Sequence, residues 1–194
     1  MKRYRYRRLH GWSSLVALLV ILLVWYGQGQ SWFGPLTHAQ HGTYRIDHFI
    51  DGDTIAVDMN GTVTDVRFIG VDTPETHKPD TPVQCYGPEA AAFTARTIGS
   101  QRVRLVSDSL STDRDRYNRL LRYVYLPDGR NLNELLVQQG YGFYYPYFAF
   151  SMDSRFAADE HQAMAAHRGL WSACKPTPSD DGGFKMNEPE PKQR

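Results

Sequence analysis

Cysteine is nearly absent from this chain of 194 residues: only Cys85 and Cys174 occur. No Cys-x-x-Cys or His-x-x-x-His spacing exists and the seven histidines are scattered, which argues against a zinc centre. No internal repeat or heptad pattern runs through it, so solenoids and coiled coils are excluded. Apart from Leu15 to Val24 there is no long apolar run. Basic excess is missing as well. Lys and Arg total 22 against 21 Asp and Glu, a net of +1. Between Thr43 and Cys174 the count is 13 basic against 17 acidic residues, a net of −4. An acidic domain is not a general polyanion binder and must use a local basic site, helped by a bound cation, to engage nucleic acid.

The excess positive charge lies at the N-terminus, where Lys2, Arg3, Arg5, Arg7 and Arg8 precede the apolar stretch. Trp12, Trp25 and Tyr26 flank it like interfacial anchors. Residues 1–26 therefore read as a signal anchor or a signal peptide. The uncleaved anchor is preferred, because the best cleavage candidate, Thr37-His38-Ala39, lies far from the apolar run. The expected location is the cell membrane, single-pass with the domain facing outward, or secretion if the segment is cleaved. Residues 27–42 read as a linker, 43–174 as the domain, and 175–194, poor in apolar side chains, as a disordered tail. Beyond an export signal the compartment is oxidising, so a Cys85–Cys174 disulfide leads over two unrelated buried thiols.

Within the domain, β-patterned runs cover Thr43–Ile50, Ile55–Met59 and Thr62–Val71, with Asn60-Gly61 as a two-residue hairpin turn. Gly87-Pro88-Glu89 opens a helix that ends at Gly99. Val103–Ser107 and Leu121–Leu126 are two further strands. Asn131-x-x-Glu134 resembles a capping box for a second helix ending at Gly140, and Ser154 to His167 forms a third. The pattern predicts an α+β fold: a five-stranded barrel of the oligonucleotide-binding (OB-fold) type with three helices, preceded by the membrane segment.

The chemistry concentrates in Arg67 to Glu75. An arginine in an apolar strand needs an anion, and Asp72 and Glu75 bracket a Thr-Pro turn at the strand's end. Asp51-Gly52-Asp53-Thr54 is good turn chemistry by itself. A barrel that brings Asp53 beside Asp72 pairs two carboxylates that repel unless a cation or an arginine joins them. An oxygen-only set, few in number, suits Ca²⁺ with waters completing the shell. Near such an ion Glu75 can accept a proton from water, while Arg67 and Arg119 can clamp a charged phosphorus centre.

These two motifs, with Tyr86-Gly87-Pro88-Glu89-Ala90, Asp115-Arg116-Tyr117-x-Arg119 and Asn133-Glu134-x-x-Val137-x-Gln139-Gly140, resemble the thermonuclease (staphylococcal-nuclease-like) family from about Thr43 to Trp171. The resemblance implies an OB-type barrel with three helices, hydrolysing DNA and RNA with Ca²⁺ and leaving 3′-phosphates. Asp53, Asp72 and the main-chain carbonyl of Thr73 are then the expected metal ligands. Arg67, Glu75 and Arg119 are the expected catalytic residues, and Arg116 and Tyr117 contact a terminal phosphate. The run Phe143 to Phe148 falls where the family stacks a tyrosine on a base, which makes Tyr145 and Tyr147 the candidates. Asn118 stands where the family has glycine; asparagine tolerates the left-handed backbone this position needs. A monomer acting on DNA or RNA is expected. The alternative is a noncatalytic OB module binding nucleic acid or protein at the membrane, or an envelope domain whose charges merely pair.

Overall fold

The computed structural model describes residues 42–76, 82–180 and 182–186. The expected membrane segment 1–26 lies outside these residues, as does the expected linker apart from Gly42. Among the described residues, no helix is long and apolar enough to cross a membrane.

Five strands close a barrel in the order β1 (Thr43–Phe49), β2 (Thr54–Met59), β3 (Thr62–Phe68), β6 (Leu120–Tyr125) and β5 (Val103–Val106). All neighbours are antiparallel except β3 and β6, which run parallel with Arg67 opposite Leu121. The β2–β3 connection is the Asn60-Gly61 turn, with φ of 57° and 89° at its two residues, the mirror-image turn that suits strand twist. Side chains alternate across each strand, so Ile55, Val57, Val66, Phe68, Val103, Leu105, Leu120 and Val124 form the apolar core. Arg67, in register with Thr54 and Leu121, falls on the outer face.

The third strand is shorter than the apolar run Thr62–Val71 predicts. It breaks after Phe68, because Gly70 turns the chain with φ of 75°. The two residues that follow, β4 (Val71–Asp72), pair instead with β7 (Phe143–Tyr144), and the Tyr145 N–H donates to the Gly70 carbonyl. Arg67 of β3 reaches this small ribbon through the Val71 carbonyl.

Helix α1 (Gly87–Ile98) starts with Pro88 and stops at Gly99. It buries Ala90, Thr94 and Ile98 on one stripe, and the Thr94 hydroxyl donates to the Gly52 carbonyl, fixing the first acidic turn. Helix α2 (Leu132–Gln138) is capped by Asn131, whose side chain accepts from the Asn133 N–H. The reciprocal half of the capping box is replaced: Glu134 accepts from Gln138 and pairs with Arg155 of α3 (Asp153–Ala165). Fully buried Asn133 joins helix to sheet. Its amide nitrogen donates to the carbonyls of Ile69 (2.9 Å) and Arg122 (3.0 Å), and its oxygen accepts from the Val124 N–H (2.9 Å).

A fourth short helix, α4 (Leu170–Ala173), leads to Cys174, which is disulfide-bonded to Cys85 as expected. The tail departs from the expectation of disorder. Thr177–Pro178 (β8) and Phe184–Lys185 (β9) form a hairpin. Phe184 meets Trp171 edge-on at 4.9 Å, and Met186 is buried with Phe143 and Leu170. Two apolar side chains in a polar tail suffice to dock it.

Candidate active site

The Asp53 carboxylate lies beneath the ribbon that follows β3. Its Oδ2 accepts from the Thr73 N–H at 2.7 Å and the Thr73 hydroxyl at 3.0 Å, and Oδ1 accepts from the Thr54 hydroxyl at 2.9 Å. Arg67 joins the acids. Its Nη1 lies 2.8 Å from Asp53 Oδ2 and donates to the Val71 carbonyl, and Nη2 reaches Asp72 Oδ1 at 2.6 Å. Of the two joiners a pair of acids admits, the arginine is thus in place. The guanidinium expected to clamp phosphate is held by both acids expected to bind metal.

The charges at this corner are strongly interdependent. Burial works against the Arg67 cation, but Asp53 and Asp72 more than compensate and hold its pKa above the ordinary value. The Asp72 side chain is 45% exposed, yet its carboxyl is pushed up to about 6. Burial pushes hardest, Arg67 opposes it, and the charges of Asp53, Glu75 and Asp51 add to the push. Asp51 is itself raised, by burial and by Asp53, while accepting from the Gly52 N–H and the Thr76 hydroxyl. Asp51 was expected only as part of the turn. It is a further acid of the corner, and the Asp-x-Asp spacing was its signal.

Half-buried Glu75 feels both Arg67 and Asp72. Its main chain is paired on both sides with Gln84: the Glu75 N–H donates to Gln84 Oε1 at 2.8 Å and the Gln84 N–H donates to the Glu75 carbonyl at 2.9 Å. Gln84 carried no signal in the sequence.

Arg119 immediately precedes β6, and the parallel register places it on the outer sheet face that also carries Arg67. Asp115 organises its loop. That carboxylate accepts from the Tyr117 and Arg119 N–H groups and from Arg119 Nε at 2.7 Å. Burial raises the Asp115 pKa, but hydrogen bonds and the Arg119 charge outweigh it and bring it below the ordinary value. Asn118 adopts φ of 66°, the left-handed backbone expected of it. Tyr117 is 64% exposed, with the Arg116 and Arg119 guanidinium carbons 4.8 and 5.3 Å from its ring centre.

The aromatic run divides by role. Phe143 is core, and Tyr144 bonds Asp153 through its hydroxyl and Glu160 through its N–H. Tyr145 is the ring next to the acids. Burial raises its pKa, the Asp72 charge adds to the rise, and Arg67 and Arg116 oppose it. Tyr147 stands edge-on to Tyr145 at 4.8 Å and donates to the Gly182 carbonyl, so the docked tail fixes its orientation. Phe148, 69% exposed, lies 5.9 Å from Tyr145.

Asp53, Asp72, Thr73, Arg67, Glu75 and Tyr145 thus share one corner, with Arg116 in electrostatic reach of Tyr145 and Arg119 on the same face. Among the described residues, no three His, Cys, Asp or Glu side chains converge as a metal cage. The donor set still fits a hard cation in kind. It is all oxygen, and its mutually repelling carboxylates supply the charge such an ion neutralises.

Residues 65–173 match the family model described as staphylococcal nuclease homologue. The chain is 40% identical over 171 residues to the thermonuclease of Staphylococcus hyicus, covering 84% of this chain and 96% of that protein. Against the thermonuclease of Staphylococcus intermedius it is 42% identical over 127 residues, 65% of this chain and 74% of the relative. Endonuclease YncB of Bacillus subtilis (strain 168) is 38% identical over 131 residues, 66% of this chain and 60% of that protein.

Proposed function

The chain belongs to the staphylococcal nuclease family and is a nuclease that hydrolyses phosphodiester bonds; from that premise we propose a Ca²⁺-dependent, sugar-nonspecific endonuclease that leaves 3′-phosphates on DNA and RNA. The observation that carries the reading is the single charge field shared by Asp53, Arg67, Asp72 and Glu75. A structural salt bridge needs one acid per arginine; this corner gathers several.

Asp53, Asp72 and the Thr73 carbonyl would hold Ca²⁺, which when bound polarises a water and a phosphate oxygen. Glu75 accepts the proton of the water attacking phosphorus in line with the departing 5′-oxygen. Arg67 and Arg119 donate to the non-bridging oxygens as charge builds there, and a preformed donor of this kind is worth about 10²–10³ in rate. Arg116 and Tyr117 receive a terminal phosphate. Tyr145 supports a base by stacking, which every base allows, in keeping with an enzyme that does not read sequence. The basic and apolar N-terminal stretch, with the disulfide, supports action outside the cytoplasm, either anchored or released.

The test is digestion of plasmid DNA and of RNA by the full chain. EGTA should abolish cleavage and added Ca²⁺ should restore it. Glu75→Gln and Arg119→Ala should each lower kcat by about 10² or more while circular dichroism stays unchanged. Parental rates in both variants, or cleavage indifferent to EGTA, would sink the reading.

A further inference from the structure

The residues that fix Glu75 lie in a turn nine positions further along the chain. Gln84 grips the Glu75 peptide from both sides, accepting its N–H through the side chain and donating its own N–H to its carbonyl. The next elements close on the same segment. The Gly87 N–H donates to the Gln84 carbonyl. Gly87 itself packs so tightly that an added Cβ would lie 2.9 Å from the Glu75 carbonyl oxygen and 3.0 Å from that of Pro74, so only glycine fits at this helix start. Between Gln84 and Gly87 comes Cys85, cross-linked to Cys174 at the end of α4, 89 residues away. Helix α4 is in turn seated by Leu170 and Trp171 against Phe143, Phe184 and Met186. One covalent bond, beside the packing of Tyr86, therefore ties the grip on Glu75 to this apolar cluster.

We propose that Gln84 is a positioning residue for the base Glu75, and that the Cys85–Cys174 disulfide holds Gln84 in place, so that turnover depends on the oxidised bond. The inference rests on Glu75 acting as the base. The side chain of a general base must lie within hydrogen-bond reach of its water, and small misplacements are costly in rate. Gln84 acts on the main chain of Glu75, so its loss moves the carboxylate without changing its chemistry. The two bonds hold the peptide groups before and after Glu75, the two planes that set the direction of its side chain. Substrate contacts through Arg116, Tyr117 and Tyr145 stay intact, which confines the effect to kcat.

The experiment uses the full chain with Ca²⁺ and a single-stranded oligodeoxythymidylate. Gln84→Ala should lower kcat about 10- to 100-fold with KM within about twofold. Gln84→Glu keeps an oxygen for the Glu75 N–H and should recover most of the loss. The paired variant Cys85→Ser/Cys174→Ser should lower kcat in the same direction, and Gln84→Ala should add little in that background. Hydrogen exchange at the Glu75 amide reports on the grip without activity, and protection should fall in Gln84→Ala and in the paired variant. Unchanged kcat and protection in Gln84→Ala, a loss confined to KM, or no recovery in Gln84→Glu overturns the positioning role. Parental kcat in the paired serine variant overturns the disulfide's part. Cleavage that survives Glu75→Gln while Gln84→Ala loses amide protection overturns the role of Glu75 as base instead.

Discussion

Arg67 holds two carboxylates and a carbonyl with one planar group, and that geometry sets what can replace it. Its side chain is 13% exposed and that of Asp53 is 8% exposed, so neither partner can turn to water if the pair is broken. Lysine keeps the charge but presents a single ammonium, which cannot reach Asp53, Asp72 and the Val71 carbonyl in the same fork. Arg67→Lys should therefore lower folding stability by about 3 kcal/mol, the range for breaking a buried pair, and reduce turnover by about 10². Urea unfolding and digestion rates measured on the same preparation check both halves. A variant that loses rate but keeps parental stability would mean that the acids are held without Arg67. The residue scale is also where the sequence was most readable. Asp53, Arg67 and Glu75 sit at strand ends or turns that local chemistry sets, and Asp72 and Thr73 join them through the pairing of β4 with β7 and the Thr73–Asp53 hydrogen bonds. Gln84 was not legible as a site residue, because it holds another residue's main chain and nothing about glutamine announces that; Asp51 left only the Asp-x-Asp spacing and acts through its charge on its neighbours.

At the scale of elements, α3 carries a buried acid that no cation among the described residues neutralises in the manner of Arg67. Among the described residues Glu160 accepts only the Tyr144 N–H, at 2.9 Å, and burial pushes its pKa up to about 7 despite that bond. The folded state therefore keeps a proton that the unfolded chain has already lost from about pH 4.5 upward. Stability should fall as pH rises from about 4.5 to about 7, and the loss is complete above that window. Glu160→Gln stays neutral throughout and can still accept from Tyr144. It should be more stable than the parent at pH 8, by on the order of 2–3 kcal/mol, and nearly equal to it at pH 4.5. Urea midpoints at pH 4.5, 6 and 8 test this; parallel pH dependence in both proteins would show that Glu160 does not titrate in the folded state. Because Glu160 seats β7, the same titration bears on the ribbon that carries Tyr145. Asn60-Gly61, Gly87-Pro88 and Gly99 are local backbone signals and their turns fell in place. The break at Gly70 was hidden because Phe68 to Val71 is an unbroken apolar run apart from that glycine. The partner of Val71-Asp72 lies some seventy residues on, at Phe143-Tyr144. The docked tail was hidden for a related reason: composition averages away two apolar residues.

For the whole molecule, the distribution of charge decides how it meets a polyanion. The domain from Thr43 to Cys174 carries a net of −4, so its general field repels nucleic acid, and within the domain attraction comes from local cations such as those at the Arg67 face. Three arginines stand there: Arg67 beneath the ribbon, Arg116 on the exposed loop and Arg119 at the start of β6. Two are already paired, Arg67 with Asp53 and Asp72, and Arg119 with Asp115. Counterion release scales with the phosphates neutralised, about 0.7 per contact on a single strand. Three contacts give a slope of about −2 for the logarithm of affinity against the logarithm of salt concentration, far from that of a strongly basic nuclease-like binder. Ca²⁺ competes in the same measurement, so its concentration must be held constant while monovalent salt is varied. If Arg116 meets phosphate as proposed, Arg116→Ala should reduce the slope by about 0.7 and weaken all sequences alike. Tyr145→Ala should weaken binding and leave the slope unchanged, since stacking releases no counterions. Fluorescence anisotropy of a labelled oligodeoxythymidylate with the inactive Glu75→Gln chain, at several salt concentrations, gives both numbers. A slope near −6 would require phosphate contacts beyond these three arginines, from other basic side chains of the domain or from the N-terminal cluster Lys2 to Arg8, and would overturn the three-contact reading.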